Sequence, residues 1–145
     1  MVNGRILFVD DGFEKNTDPD YKLLLSSKKK LDEAGYDVDV AYNVEDAKQK
    51  LNASINLVIL DLFLPVDKGG IISENNGKNL LNFIKTNFPK INVIIITGKA
   101  VSLDTSSDLI SNYGASYVLS KDSNLQEKLI ETVPTYINPP EKNRD

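Results

Sequence analysis

The chain has 145 residues, 41% of them hydrophobic and 26% charged, which is the scale of one globular domain and leaves no room for a second catalytic one. Seventeen Lys plus Arg against twenty-one Asp plus Glu give a net charge of −4, so no basic field is present to hold nucleic-acid phosphates. The absence of Cys and His excludes disulfides, thiolate nucleophiles, Ser-His triads, imidazole-bound metals and phosphohistidine on this chain, so a metal site would need oxygen ligands of the kind that suit Mg or Ca.

Apolar runs of strand length alternate with amphipathic stretches, the pattern of a parallel α/β sheet. The first strand is expected at Ile6 to Val9. No apolar run reaches the ~18 residues of a membrane span, and a cytoplasmic protein is expected. Thr17-Asp18-Pro19 opens a helix, with Asp18 as cap and Pro19 in the first turn; it should run to about Ala34 and end at Gly35. Tyr36 to Ala41 alternates polar and apolar residues, which marks an edge strand.

Asn43 caps a second helix through about Leu51, and Leu57 to Leu60 is a third strand. Leu62 to Asn76 is a long loop, followed by a helix from Lys78 to Phe88 that Pro89 stops. Val93 to Ile96 forms the fourth strand. Ser102 to Asn112 is a weaker helix, because Thr105-Ser106-Ser107 has low helical propensity. Tyr117 to Leu119 is a short edge strand, and Ser123 with Gln126 makes a capping box for a last helix that ends at about Val133, before Pro134. Residues 1–137 are read as one domain, with 138–145 a flexible tail or linker stub. The first, third and fourth strands are apolar throughout and belong at the sheet centre. The expected fold is therefore a doubly wound five-stranded parallel sheet in the order 2-1-3-4-5, flavodoxin-like, with helices on both faces.

In such a sheet the ligand site lies at the carboxyl ends of the strands, beside the switch point between strands one and three. Strand one ends in Asp10-Asp11, strand three in Asp61, strand four in Thr97-Gly98, and strand five runs into Lys121. Three convergent carboxylates repel unless a proton or hard cation offsets them, which points to a divalent cation such as Mg2+. Lys121 adds a positive charge, Thr97 a hydroxyl, and Gly98 space, the parts needed to neutralise a phosphoryl group; Asp61 is the candidate acceptor. Taken singly, each residue has a plainer role as a turn, cap or surface group.

On these residues the chain, from about Arg5 to about Val133, resembles the receiver domain of bacterial two-component response regulators. The resemblance implies that Asp10 and Asp11 bind Mg2+, that Asp61 is the phosphoacceptor and that the Phe63 carbonyl completes the metal site. It further implies that Thr97 and Lys121 contact the phosphoryl group, and it matches Pro65 and Gly114-Ala115 to family positions. Phe63 and Lys99 fall at positions that tune phosphoryl lifetime. The aromatic switch position holds Val118, with Tyr117 displaced by one residue, which in a strand reverses the face.

The function implied is a signalling phosphoacceptor, not an enzyme: a sensor histidine kinase or phosphotransfer protein donates to Asp61, and the altered surface controls a partner or output domain. Phosphorylation-dependent homodimerisation is a further option, and no membrane or nucleic-acid partner is expected. A phosphorylation-independent interaction module is the alternative. A Mg-dependent phosphohydrolase is disfavoured because Phe63 stands where a general acid would be needed. A flavin site is disfavoured by the acidic Asp10 to Glu14 segment after strand one. The loops Gly12 to Thr17 and Leu62 to Asn76 overhang the site. The paired Ile71-Ile72 in the second would either pack down on the domain or meet a partner.

Overall fold

The computed structural model describes residues 3–98 and 102–139. The apolar runs pair as one parallel sheet of β1 (Arg5–Val9), β2 (Asp37–Ala41), β3 (Leu57–Asp61), β4 (Asn92–Thr97) and β5 (Tyr117–Ser120), in the order β2-β1-β3-β4-β5. The helices are α1 (Tyr21–Glu33), α2 (Val44–Lys50), α3 (Glu74–Asn87), α4 (Leu103–Tyr113) and α5 (Leu125–Tyr136). Every residue of β3 is buried, as a central strand covered on both faces requires, while edge strand β2 exposes Asp37 and Asp39.

Strand alternation divides the core into two layers. Ile6, Phe8, Leu57, Ile59, Ile94, Ile96 and Leu119 point toward α1 and α5, meeting Leu24, Leu31, Leu129 and Val133. Leu7, Val9, Val58, Leu60, Val93 and Ile95 point the other way, toward α2, α3 and α4, meeting Ala47, Leu80, Leu81, Ile84 and Leu109. Each such Leu or Ile, fully removed from water, contributes about 2 kcal/mol.

Three helices differ at their ends from the sequence expectation. The first helix begins at Tyr21, not at Pro19: the Asp18 carboxylate instead accepts the Asp20 amide (2.9 Å) and holds a turn ahead of the helix. α3 begins at Glu74, four residues before Lys78, because Ser73 caps it by accepting the Asn75 amide (3.2 Å). In α5 the expected Ser123 cap is absent. Asn124 occupies the N-cap position, its amide donating to Asp122 (2.9 Å), and the helix passes through Pro134 to Tyr136. Pro134 has no N–H to donate and would normally stop the helix. The last turn persists because Val133 is buried and Asn92 Nδ2 donates to the Tyr136 carbonyl (2.7 Å). Asn138 is tied down as well, its amide donating to the Asn56 carbonyl (3.1 Å).

The segment after β3 is not structureless. Leu64 and Ser73 form an antiparallel bridge, and Asn76 Nδ2 donates to the carbonyls of Leu64 (2.7 Å) and Ile71 (3.1 Å), closing a loop over 64–73. Amides of Val44 and Glu45, orphans at the start of α2, donate to the Pro65 (3.1 Å) and Val66 (2.9 Å) carbonyls and brace the loop from beside it. Gly77 allows α3 to lie against the loop's entry, since a Cβ there would sit 2.6 Å from the Leu62 carbonyl carbon.

Candidate functional site

The two-residue period that sorts the core also builds the site. Asp10 follows Phe8, Asp61 follows Ile59 and Lys121 follows Leu119, so all three continue the face covered by α1 and α5 at the carboxyl edge of the sheet. Carboxylate oxygens of Asp10, Asp11 and Asp61 lie within 4.8 Å of one another. Lys121 Nζ stands 2.9 Å from Asp10 Oδ2, 3.2 Å from Asp20 Oδ2 and 3.5 Å from Asp61 Oδ2.

Local backbone fixes the acids. Asp10 caps a 3-10 turn over Asp11–Phe13, accepting the Gly12 amide at 2.9 Å through the oxygen that Lys121 leaves free. Phe13 closes that turn by burying its ring edge-on against Phe8, 4.9 Å between centroids. Asp61 Oδ1 accepts the Phe63 amide (3.2 Å).

One ammonium facing four carboxylates leaves an excess of negative charge in a region of low water access. Burial, followed by the charge of Asp10, pushes the Asp61 carboxyl up to about 8. Burial, then Asp10 and Asp18, pushes Asp11 up to about 6. Asp10 is also raised by burial, with Lys121 and the Gly12 amide opposing. Burial alone would lower Lys121, but Asp10, Asp61 and Asp20 outweigh it and hold the ammonium protonated. The pocket thus retains protons unless another cation replaces them. Its donors are all oxygen, the set that suits a hard divalent ion.

Thr97 is buried at the end of β4, where its carbonyl accepts the Lys121 amide (2.7 Å), so the hydroxyl-bearing residue and the lysine are registered to each other through backbone. Among the described residues, a Cβ added at Gly98 would meet only Lys121 Cε at 3.9 Å. Phe63 is half-buried and packs on the α2–α3–α4 core layer. Lys99 lies outside the described residues. Tyr117 is not brought to the site. It begins β5, at the far end of the strand from Lys121, and stacks on Tyr136 with centroids 5.5 Å apart. Val118, on the other face, packs with the layer that includes Ile95 and Leu109.

Sequence reasoning passed over Asp20. The residue stands next to a helix start, where an acid reads as a cap, and only the folded chain places it on Lys121. A cleft of about 260 Å³ lies between the two long loops, lined by Asp11, Glu14, Lys15, Asp18, Pro65, Gly69, Gly70 and Ile72. Ile71 is 86% exposed, so the paired isoleucines do not both pack down on the domain. No helix of the described residues is long and apolar enough to cross a membrane.

Fold and carboxylate cluster together define a doubly wound α/β domain with an acidic site at its switch point. The chain belongs to the response regulator receiver domain family, whose pattern matches residues 17–133. It is similar to the solved receiver domain protein (CheY-like) from Methanospirillum hungatei JF-1, at 28% identity and TM-score 0.68 over 92% of this chain and 93% of that one. It is similar to the beryllofluoride-activated NtrC4 receiver domain dimer, at 30% identity and TM-score 0.71 over 92% and 95%. A third likeness is the response regulator TrrA from Thermotoga maritima, solved in complex with Mg2+ and BeF, at 32% identity and TM-score 0.65 over 92% and 99%. No curated protein matches the chain.

Proposed function

We propose that this receiver domain is a phosphoacceptor in a two-component relay, with Asp61 the residue modified. The observation that carries the reading is the convergence of Asp10, Asp11 and Asp61 within 4.8 Å, with Lys121 Nζ 3.5 Å from the acceptor. A carboxylate oxygen of Asp61 attacks the phosphorus of a phosphohistidine on a sensor kinase or phosphotransfer protein. The O–P bond forms as the P–N bond breaks, and its electron pair returns to the imidazole, which takes up a proton. Asp10, Asp11, Asp61 and the Phe63 carbonyl would hold Mg2+, which supplies positive charge to the phosphoryl oxygens when bound. Lys121 then pairs with the charge that builds on the phosphoryl group, Thr97 offers its hydroxyl, and Gly98 leaves the approach open. The beryllofluoride and Mg2+ complexes of the similar receivers support this chemistry.

The change at Asp61 is read by a protein partner or an output domain, and the domain acts as a signalling element, not as a turnover enzyme. The test is intact-mass spectrometry after incubation with acetyl phosphate. A single phosphoryl adduct that requires both Mg2+ and Asp61, and is lost in Asp61→Asn, is expected. No adduct on the wild type, with no Mg2+ binding in a titration, would leave the alternative of an interaction module.

A further inference from the structure

Lys121 has a partner that the proposed phosphotransfer does not use. Asp20 occupies the N-cap position of α1, where an aspartate ordinarily accepts a backbone amide, yet its side chain makes no cap. Its Oδ2 lies 3.2 Å from Lys121 Nζ, nearer than the 3.5 Å of Asp61. The placement is built by the backbone around it. Asp18 accepts the Asp20 amide (2.9 Å), the Asp18 carbonyl accepts the Tyr21 amide (3.1 Å), and the Asp20 carbonyl accepts the Leu24 amide (2.9 Å). The carboxylate is thereby held at the rim while remaining 42% exposed, against 1% for Asp10 and 5% for Asp61.

We propose that Asp20 is a positioning residue, a resting-state counter-ion of Lys121 that an anion on Asp61 must displace, so that it lowers the affinity of the site for phosphoryl-like groups. This rests on the phosphoacceptor reading. Two effects act in the same direction. The ammonium is shared three ways, and each share held by Asp20 is withheld from the acceptor side. The Asp20 charge also faces the arriving anion across a short, partly solvated distance. Asp20 is the best placed of the three to let go, because its half-exposed carboxylate returns to water at little desolvation cost, whereas Asp10 and Asp61 have no water to return to.

The experiment is calorimetric titration with beryllium trifluoride at saturating Mg2+, on the full chain. Wild type should bind and Asp61→Asn should not. Asp20→Asn and Asp20→Ser, which keep N-cap chemistry and remove the charge, should each bind roughly three- to ten-fold tighter than wild type, with the gain shrinking as salt is raised. Asp20→Glu keeps the charge and should restore wild-type affinity, which a purely structural role would not. Thermal melts establish that each variant is folded. Unchanged or weaker binding by Asp20→Asn and Asp20→Ser, with wild type binding and Asp61→Asn silent, overturns the counter-ion role and leaves the phosphoacceptor reading standing. Failure of wild type to bind removes both.

Discussion

Lys121 and Asp10 form an ion pair 2.9 Å long in which the two side chains are 6% and 1% exposed, joining the end of β5 to the end of β1 across two intervening strands. A pair so removed from water does little net work for stability when complete, but breaking it strands a charge. We predict that Lys121→Met, which keeps the aliphatic stem, destabilises the domain by roughly 3 kcal/mol at neutral pH. The deficit should be smaller at pH 5 than at neutral pH, because burial raises the Asp10 carboxyl and favours its taking up a proton as pH falls. Urea denaturation at both pH values measures it, and an equal deficit at the two would contradict the stranded-charge account.

Asp61 sets a pH dependence with a defined sign. Its folded value of about 8 lies above the ordinary ~4 of an unfolded aspartate. Between those limits the folded chain binds the extra proton, so the metal-free protein loses stability as pH rises from about 4 to about 8. Asp11, at about 6, adds a smaller loss of the same sign up to that pH. Melting temperature in a chelator should therefore fall from pH 5 to pH 8, and Asp61→Asn should flatten the slope. Saturating Mg2+ should raise the melting temperature more at pH 8 than at pH 5. A flat or rising profile in chelator would refute the sign.

Gly77 has a steric requirement distinct from conformational freedom. An added methyl would lie 2.6 Å from the Leu62 carbonyl carbon, and backbone cannot step aside as a side-chain tip can. Gly77→Ala should cost about 2 kcal/mol or more, despite the better helix propensity of Ala. Gly98→Ala, where the nearest atom among the described residues is 3.9 Å away, should be close to neutral in the same denaturation assay.

The loop over 64–73 should be stiff because Asn76 ties it. Asn76→Ala removes the donor to the Leu64 and Ile71 carbonyls and should loosen the backbone around the already exposed Lys68, accelerating tryptic cleavage there while lowering global stability by about 1 kcal/mol. Mass mapping of early fragments gives the answer, and cleavage at wild-type rate would show that the Leu64–Ser73 bridge suffices alone.

How much of this was legible in the sequence depended on whether a feature was local. The central strands followed from unbroken apolar runs and the edge place of β2 from its polar and apolar alternation, and the convergence of Asp10, Asp11, Asp61 and Lys121 followed from the resulting order. The start of α3 was hidden because Asn75, Asn76 and Gly77 are poor helix formers, and Gly77 is present for a contact with Leu62 that no window of sequence displays. α5 outran Pro134 because Asn92, on a distant strand, holds the Tyr136 carbonyl. Asp20 was invisible for the same reason, since its partner is at the other end of the sheet order.

Asp10 and Lys121 are 111 residues apart in the chain, and in the folded domain β3 and β4 lie between their strands. The charge balance of the pocket therefore requires β1, β3, β4 and β5 all to be in place. Without β5, Asp10 and Asp61 face each other without the ammonium that offsets their charge. Detachment of β5 alone, by mutation or by force, would erase the site while leaving β1, β2, β3 and β4 paired. The lysine makes the chemistry conditional on complete topology, so that a partly folded chain is electrically silent to a phosphodonor.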